Sequence, residues 1–119
     1  MKDKRRSRRI PVQIELHDSD LNNQERLKIP VLDTPIRIVD ISLYGLGMIA
    51  DFVLPIRHFL DARIILSPDF PPIRAVVKII RVQPLGGNTY RYGCEFIDMT
   101  EADKTIIESF KRQEEKDYL

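Results

Sequence analysis

The sequence has few of the features that would place it outside the cell or in a membrane. It contains one cysteine, Cys94, so an intramolecular disulfide is excluded, which fits a reducing compartment. No run approaches the roughly 18 apolar residues of a membrane-spanning helix. The start, MKDKRRSRRIPV, carries charge but no apolar core of a secretory signal. We therefore expect a cytoplasmic protein that does not insert into membranes.

The signatures of common enzymes are absent as well. The sequence has no G-x-S-x-G, no phosphate-binding P-loop and no H-E-x-x-H motif. Its two histidines, His17 and His58, lack a neighbouring cysteine or second histidine with which to hold a metal. Cys94 alternates with polar residues and is predicted to be a small core residue. These features favour a non-catalytic protein without a metal or cofactor.

Charge is distributed unevenly along the chain. Residues 1–9 hold six basic side chains and one acidic, a net charge of +5, whereas the other 110 residues hold 13 basic and 17 acidic, a net charge of −4. Residues 1–9 contain no apolar residue after Met1, so we expect a flexible basic arm. Such an arm suits an anionic partner. It is also compatible with a solvated tail, a nonspecific nucleic-acid arm or a nuclear-localisation-like cluster.

Hydrophobic periodicity predicts one all-β domain, over residues 10–119, that ends in a helix. Apolar residues at both parities of 73–83 predict a strand that is buried on both faces. Thr100 is predicted to cap a helix over about 100–114, with an apolar stripe on one face. About six short strands favour a small antiparallel barrel. Besides a central hairpin, the predicted strands are Ile10–Leu16, Ala62–Ser67, Ile73–Gln83 and Thr89–Ile97, and the stripe comprises Ala102, Ile106, Ile107 and Phe110.

The central hairpin, residues 36–52, contains the D-x-S-x-x-G arrangement of Asp40, Ser42 and Gly45. Because side chains alternate along a strand, Asp40 and Ser42 are expected on one face. Gly45 closes the turn, where a positive φ or a close approach is best tolerated. The opposite face is predicted to be apolar and buried, through Val39, Ile41 and Leu43.

The arginines of residues 1–9 and the polar residues of the central hairpin together form a set suited to recognition of a nucleotide. Arginines can bind phosphates in bidentate fashion and can stack on base planes. The carboxylate of Asp40 can accept hydrogen bonds from the two donors on the Watson–Crick edge of guanine, and Ser42 can donate or accept beside it. A guanine nucleotide with exposed phosphates would satisfy all of these groups.

With these residues, the sequence resembles the PilZ domain family of bacterial cyclic di-GMP receptors. The resemblance is carried by Arg5–Val12 (RRSRRIPV), by Asp40–Gly47 (DISLYGLG), and by Tyr92–Ile97 (YGCEFI) followed directly by the terminal helix. It extends from about Arg5 to Phe110. Tyr44 departs from the family pattern, in which a glycine is common before Gly45.

The resemblance implies a six-stranded antiparallel barrel with a C-terminal helix, and a mechanism. It assigns Arg5, Arg6 and Arg9 to an R-R-x-x-R motif on the arm, which folds over the phosphates and guanine faces. It assigns Asp40, Ser42 and Gly45 to the barrel surface, where the Asp and Ser take the guanine edges. Cyclic di-GMP often binds such domains as a mutually intercalated dimer. The roles of Lys4 and Arg8, the number of bound ligands and the oligomeric state are left open.

The resemblance also implies that the ordered arm signals to an unidentified downstream protein. One alternative is a PilZ-like interaction module of pilus or motility assembly that binds no nucleotide, although such members typically lack both motifs. Another is a barrel whose arm binds RNA or DNA. A carboxylate at the site opposes a phosphate backbone, and exposed aromatic platforms are lacking, so no specific nucleic acid is expected.

Overall fold

The computed structural model describes residues 12–19 and 36–116. The predicted basic arm, residues 1–9, lies outside the described residues. The described chain forms six strands and one helix: β1 Gln13–Asp18, β2 Arg37–Ile41, β3 Gly45–Ala50, β4 Phe59–Ile65, β5 Ile73–Gly86, β6 Thr89–Ile97 and α1 Glu101–Lys116.

The six strands form one antiparallel sheet in the order β1-β4-β5-β6-β3-β2. The sheet curls so that its two edge strands, β1 and β2, approach each other without a described ladder of hydrogen bonds between them. The all-β prediction with a C-terminal helix is thereby confirmed, as a curled half-barrel.

The concave face of the sheet holds the core. Tyr92 is fully buried, and its hydroxyl accepts a hydrogen bond from Leu54 N at 2.8 Å and donates one to Phe52 O at 2.6 Å. Burial raises the pKa of Tyr92, although the hydrogen bond from Leu54 opposes this shift. Cys94 is buried too, and desolvation raises the pKa of its thiol to about 12. The prediction that Cys94 is a core residue is confirmed.

Two β-bulges overturn details of the predicted burial. In β2 the register shifts between Ile38 and Asp40, so Val39 turns outward and is 37% exposed instead of buried. In β5 the register shifts between Ile79 and Arg81, and Ile80 is 46% exposed. A bulge inserts one unpaired residue and thus exchanges the two faces of a strand. Strand β5 is therefore not buried on both faces.

Helix α1 begins directly after its predicted cap. Asp103 N donates to Thr100 Oγ1 at 3.1 Å. Ile107 and Phe110 are buried, and the Phe110 ring packs edge-to-face on Phe70 with 6.1 Å between centroids. Ala102, predicted to share this stripe, is exposed instead.

The C-terminal half of α1 contacts the end of β2. Lys111 Nζ donates to the carbonyl oxygen of Ile41 at 2.7 Å. The helix is thus attached to the strand that carries Asp40. Within the described residues, no helix combines the length and apolar character needed to cross a membrane.

Candidate functional site

The turn between β2 and β3 is fixed by its own hydrogen bonds. Ser42 N donates to Gly45 O at 2.9 Å, and Tyr44 N donates to Ser42 Oγ at 3.1 Å. Phe96 N donates to Tyr44 O at 2.9 Å, which joins the turn to β6. Ser42 thus uses its hydroxyl oxygen as an acceptor within the turn, and its O–H remains a donor for a ligand.

Gly45 is required by the packing of two strands. It pairs with Glu95 of β6, and a Cβ atom at this position would collide with the carbonyl oxygen of Cys94. Of the two conditions that a glycine was expected to tolerate here, a positive φ is not used at Gly45; in the described chain, the glycines with positive φ are Gly86 and Gly87. The close approach here is made by the backbone of β6.

Asp40 projects to the solvent side of β2 and meets an arginine of β6. Arg91 Nη2 lies 3.4 Å from Asp40 Oδ2, and the two side chains are 45% and 66% exposed respectively. An ion pair this exposed contributes at most about 1 kcal/mol to stability. Its consequence is positional, because it orients the carboxylate while its other oxygen stays accessible.

Four residues lie in register across four strands on this outer surface. Asp40 pairs with Gly47, Gly47 with Gly93, and Gly93 with Arg81. A Cβ at Gly47 would lie 3.1 Å from Asp40 Oδ1, and a Cβ at Gly93 would lie 3.1 Å from Arg81 Nη2. The carboxylate and the guanidinium therefore rest over the two glycines. We call this row, Asp40–Gly47–Gly93–Arg81, the glycine strip.

The glycine strip forms the floor of a cavity of about 280 Å³. Three residues predicted from the D-x-S-x-x-G motif line this cavity together. Among the described residues, no carboxylate pairs with Arg81. The lining comprises Asp40, Ser42, Tyr44, Gly45, Leu46, Gly47, Ile80, Arg81, Gln83, Arg91, Tyr92, Gly93, Cys94 and Glu95.

The other predicted site residues, Arg5, Arg6 and Arg9, lie outside the described residues, as do Lys4 and Arg8. Arg81 and Arg91 were not predicted as site residues from the sequence. Alternation along β6 placed Arg91 on the outer face, but its proximity to Asp40 depends on pairing across β3. The position of Arg81 depends in addition on the bulge in β5, for which the sequence gives no local signal.

The cavity offers complementary polar groups on a floor whose two glycines lie beneath the side chains of Asp40 and Arg81. Asp40 accepts hydrogen bonds, Ser42 can donate one, and Arg81 and Arg91 add positive charge. No group of acidic, histidine and cysteine side chains in residues 12–19 and 36–116 could hold a metal ion. The arrangement suits a planar polar ligand that also carries negative charge.

Comparison with known proteins gave one finding. The family model described as PilZ domain matches residues 3–113 of the 119-residue chain. No curated protein and no solved structure matches the chain.

Proposed function

Because this chain belongs to the PilZ domain family, we propose that it is a receptor for cyclic di-GMP that binds the ligand without catalysis. Asp40 accepts from the Watson–Crick donors of one guanine, and Ser42 donates beside it. Arg5, Arg6 and Arg9 close over the phosphates and the guanine faces. The closed arm and the adjacent barrel surface then form the contact for a downstream protein.

The glycine strip is the observation that best supports this proposal. Three strand spacings separate Asp40 from Arg81, about 14 Å along a flat sheet and less on a curled one. No side chain rises from the two positions between them, because both are glycine. The two glycines instead let the Asp40 carboxylate and the Arg81 guanidinium lie low on the sheet. A ligand resting on this surface can place a base edge at Asp40 and an anionic group at Arg81.

Electrostatics also favour a compact dianion over a nucleic-acid strand. The exposed carboxylate of Asp40 would repel a continuous phosphate backbone. Its charge is offset locally by Arg91, 3.4 Å away. The basic arm, with a net charge of +5, supplies the remaining countercharge for two phosphates.

Isothermal titration calorimetry with cyclic di-GMP, in the absence of metal, tests the proposal. We expect saturable binding by the wild-type protein, and the stoichiometry will give one or two ligands per chain. Asp40→Ala should weaken binding by about 1.5–3 kcal/mol, because hydrogen bonds to a charged group are lost. The matched control is Asp69→Ala, an exposed aspartate outside the cavity.

Two results would contradict the proposal at different levels. No heat and no shift in melting temperature at tens of micromolar ligand would exclude cyclic di-GMP binding. Equal affinity of the wild type and Asp40→Ala would leave binding intact but remove Asp40 from recognition of the guanine edge. The Asp69→Ala control shows whether loss of one surface carboxylate is enough to alter binding.

A further inference from the structure

Tyr44 is the most exposed of the large hydrophobic side chains in the described residues, at 81% of its surface. The expectation that exposed aromatic rings are lacking is therefore wrong at this position. Aromatic rings are usually buried, because they remove a large apolar area from water. Tyr44 is instead one of the residues that line the candidate cavity, together with Asp40 and Ser42. The exposed aromatic surface therefore adjoins the groups that would read a base edge.

The position of Tyr44 is fixed by its backbone. Its N–H donates to Ser42 Oγ at 3.1 Å, and its carbonyl oxygen accepts from Phe96 N at 2.9 Å. One hydrogen bond ties the residue to the candidate binding motif and the other ties it to β6. The ring is thus presented from a defined turn, and only its two side-chain torsions need to be ordered by a ligand.

The ring of Tyr44 also has no aromatic partner within residues 12–19 and 36–116. The ring pairs found there are Phe70 with Phe110 and Tyr90 with Tyr92. The polar groups of the cavity can satisfy the edges of a base but not its π-faces. An unpaired aromatic ring at the rim offers the missing type of contact, since stacking on an aromatic side chain is favourable for every base.

We propose that Tyr44 is a base-stacking residue that covers one face of a guanine held at Asp40. This inference rests on the proposed function and extends it to a variable position within the D-x-S-x-x-G motif. It accounts for an aromatic side chain that is 81% exposed beside Asp40 and Ser42. It also predicts that the aromatic character of residue 44 determines affinity.

The test compares cyclic di-GMP affinity in Tyr44→Phe, Tyr44→Leu and Tyr44→Ala by calorimetry. Tyr44→Phe retains the ring and should bind within about twofold of the wild type, whereas Tyr44→Ala should bind about tenfold more weakly. Tyr44→Leu keeps apolar area without a π-face, and we expect it to resemble Tyr44→Ala. Val53→Ala is the control, since Val53 is 69% exposed and lies outside the cavity lining.

A spectroscopic measurement reports the contact directly. The chain has four tyrosines and no tryptophan, so labelling with 3-fluorotyrosine gives four fluorine resonances. The Tyr44 resonance is the one absent from Tyr44→Phe. It should move on saturation with cyclic di-GMP, by more than the resonance of the buried Tyr92.

The outcomes separate this inference from the proposed function. Absence of wild-type binding would overturn both. Wild-type binding with equal affinity in Tyr44→Ala or Tyr44→Leu would overturn the stacking role alone. An unmoved Tyr44 resonance at saturation would do the same.

Discussion

At the scale of single residues, two neighbouring glycines of β3 differ in what an added methyl group would meet. At Gly45 the group would collide with the backbone carbonyl of Cys94, which is held in the β3–β6 ladder. At Gly47 it would lie 3.1 and 3.2 Å from the two carboxylate oxygens of Asp40, on an exposed side chain that can move. Gly45 is therefore needed for the packing of β3 against β6, whereas Gly47 leaves room for the carboxylate of Asp40.

This difference predicts that the same change to alanine will affect stability at Gly45 and ligand binding at Gly47. Gly45→Ala should lower the free energy of unfolding by about 1–3 kcal/mol, the usual cost of overpacking. Gly47→Ala should remain folded but lose about 1–2 kcal/mol of cyclic di-GMP binding, because the displaced carboxylate makes poorer charged hydrogen bonds. Urea denaturation and calorimetry on both variants measure the two effects. Full affinity in a folded Gly47→Ala protein would show that Asp40 need not lie where it does.

Residue-level prediction from sequence succeeded where local alternation decides the outcome. Alternation along β6 identified Cys94 as a core residue. Alternation along the hairpin predicted that Asp40 and Ser42 share a face, and both line one cavity. The predicted burial of Val39 was wrong, because a bulge inserts one residue and turns this side chain outward. Arg81 was missed because it approaches Gly93 through pairing between distant parts of the chain.

At the scale of elements, the start of helix α1 was predictable from local sequence alone. Thr100, the acidic first turn and the apolar spacing predicted its start, and the Thr100 hydroxyl accepts from Asp103 N at 3.1 Å. The strands were less predictable at their ends. Strand β4 begins at Phe59, three residues before the predicted Ala62, since Phe59–Asp61 pair with β5 across the sheet. That pairing is a long-range contact with no local sequence signal.

The helix cap gives a prediction for this element. Thr100→Ala should lower the free energy of unfolding by about 1 kcal/mol, because the N–H of Asp103 loses its acceptor. The matched control is Thr105→Ala, which removes a hydroxyl that donates to Glu101 O at 3.0 Å inside the helix. This change should be neutral or slightly stabilising, since alanine has the higher helix propensity. Equal losses in urea denaturation of both variants would show that the cap has no special role.

At the scale of the whole molecule, the proposed binding site is formed by two parts of the chain with opposite net charge. Residues 1–9 carry +5, and the remaining 110 residues carry −4. The half-barrel presents the glycine strip, and 17 buried apolar residues of the described chain form its core. That residues 1–9 contribute nothing to this core stays a prediction from composition, because a segment without apolar residues cannot pack. The curled, open form of the sheet was not predicted, since it depends on the pairing of all six strands.

The arm should therefore affect binding without affecting the stability of the free protein. Arg5→Ala and Arg9→Ala should each remove most of the affinity for cyclic di-GMP, because a charge-assisted contact to phosphate or a guanidinium stacked on guanine is lost. The melting temperature without ligand should stay within about 1 °C of the wild type, as expected for surface changes that cost little. Calorimetry and thermal denaturation measure the two quantities.

The control for these arm variants is Arg74→Ala, an exposed arginine of β5 that lies outside the candidate cavity. It removes the same charge from the whole molecule, so any general electrostatic effect on a dianionic ligand appears in it as well. Added salt should weaken wild-type binding more than binding by Arg5→Ala, because the variant has already lost a charge that salt would screen. A large fall in melting temperature of either arm variant would show instead that the arm belongs to the folded core. An equal loss of affinity in Arg74→Ala would show that net charge, not the position of the arm arginines, governs binding.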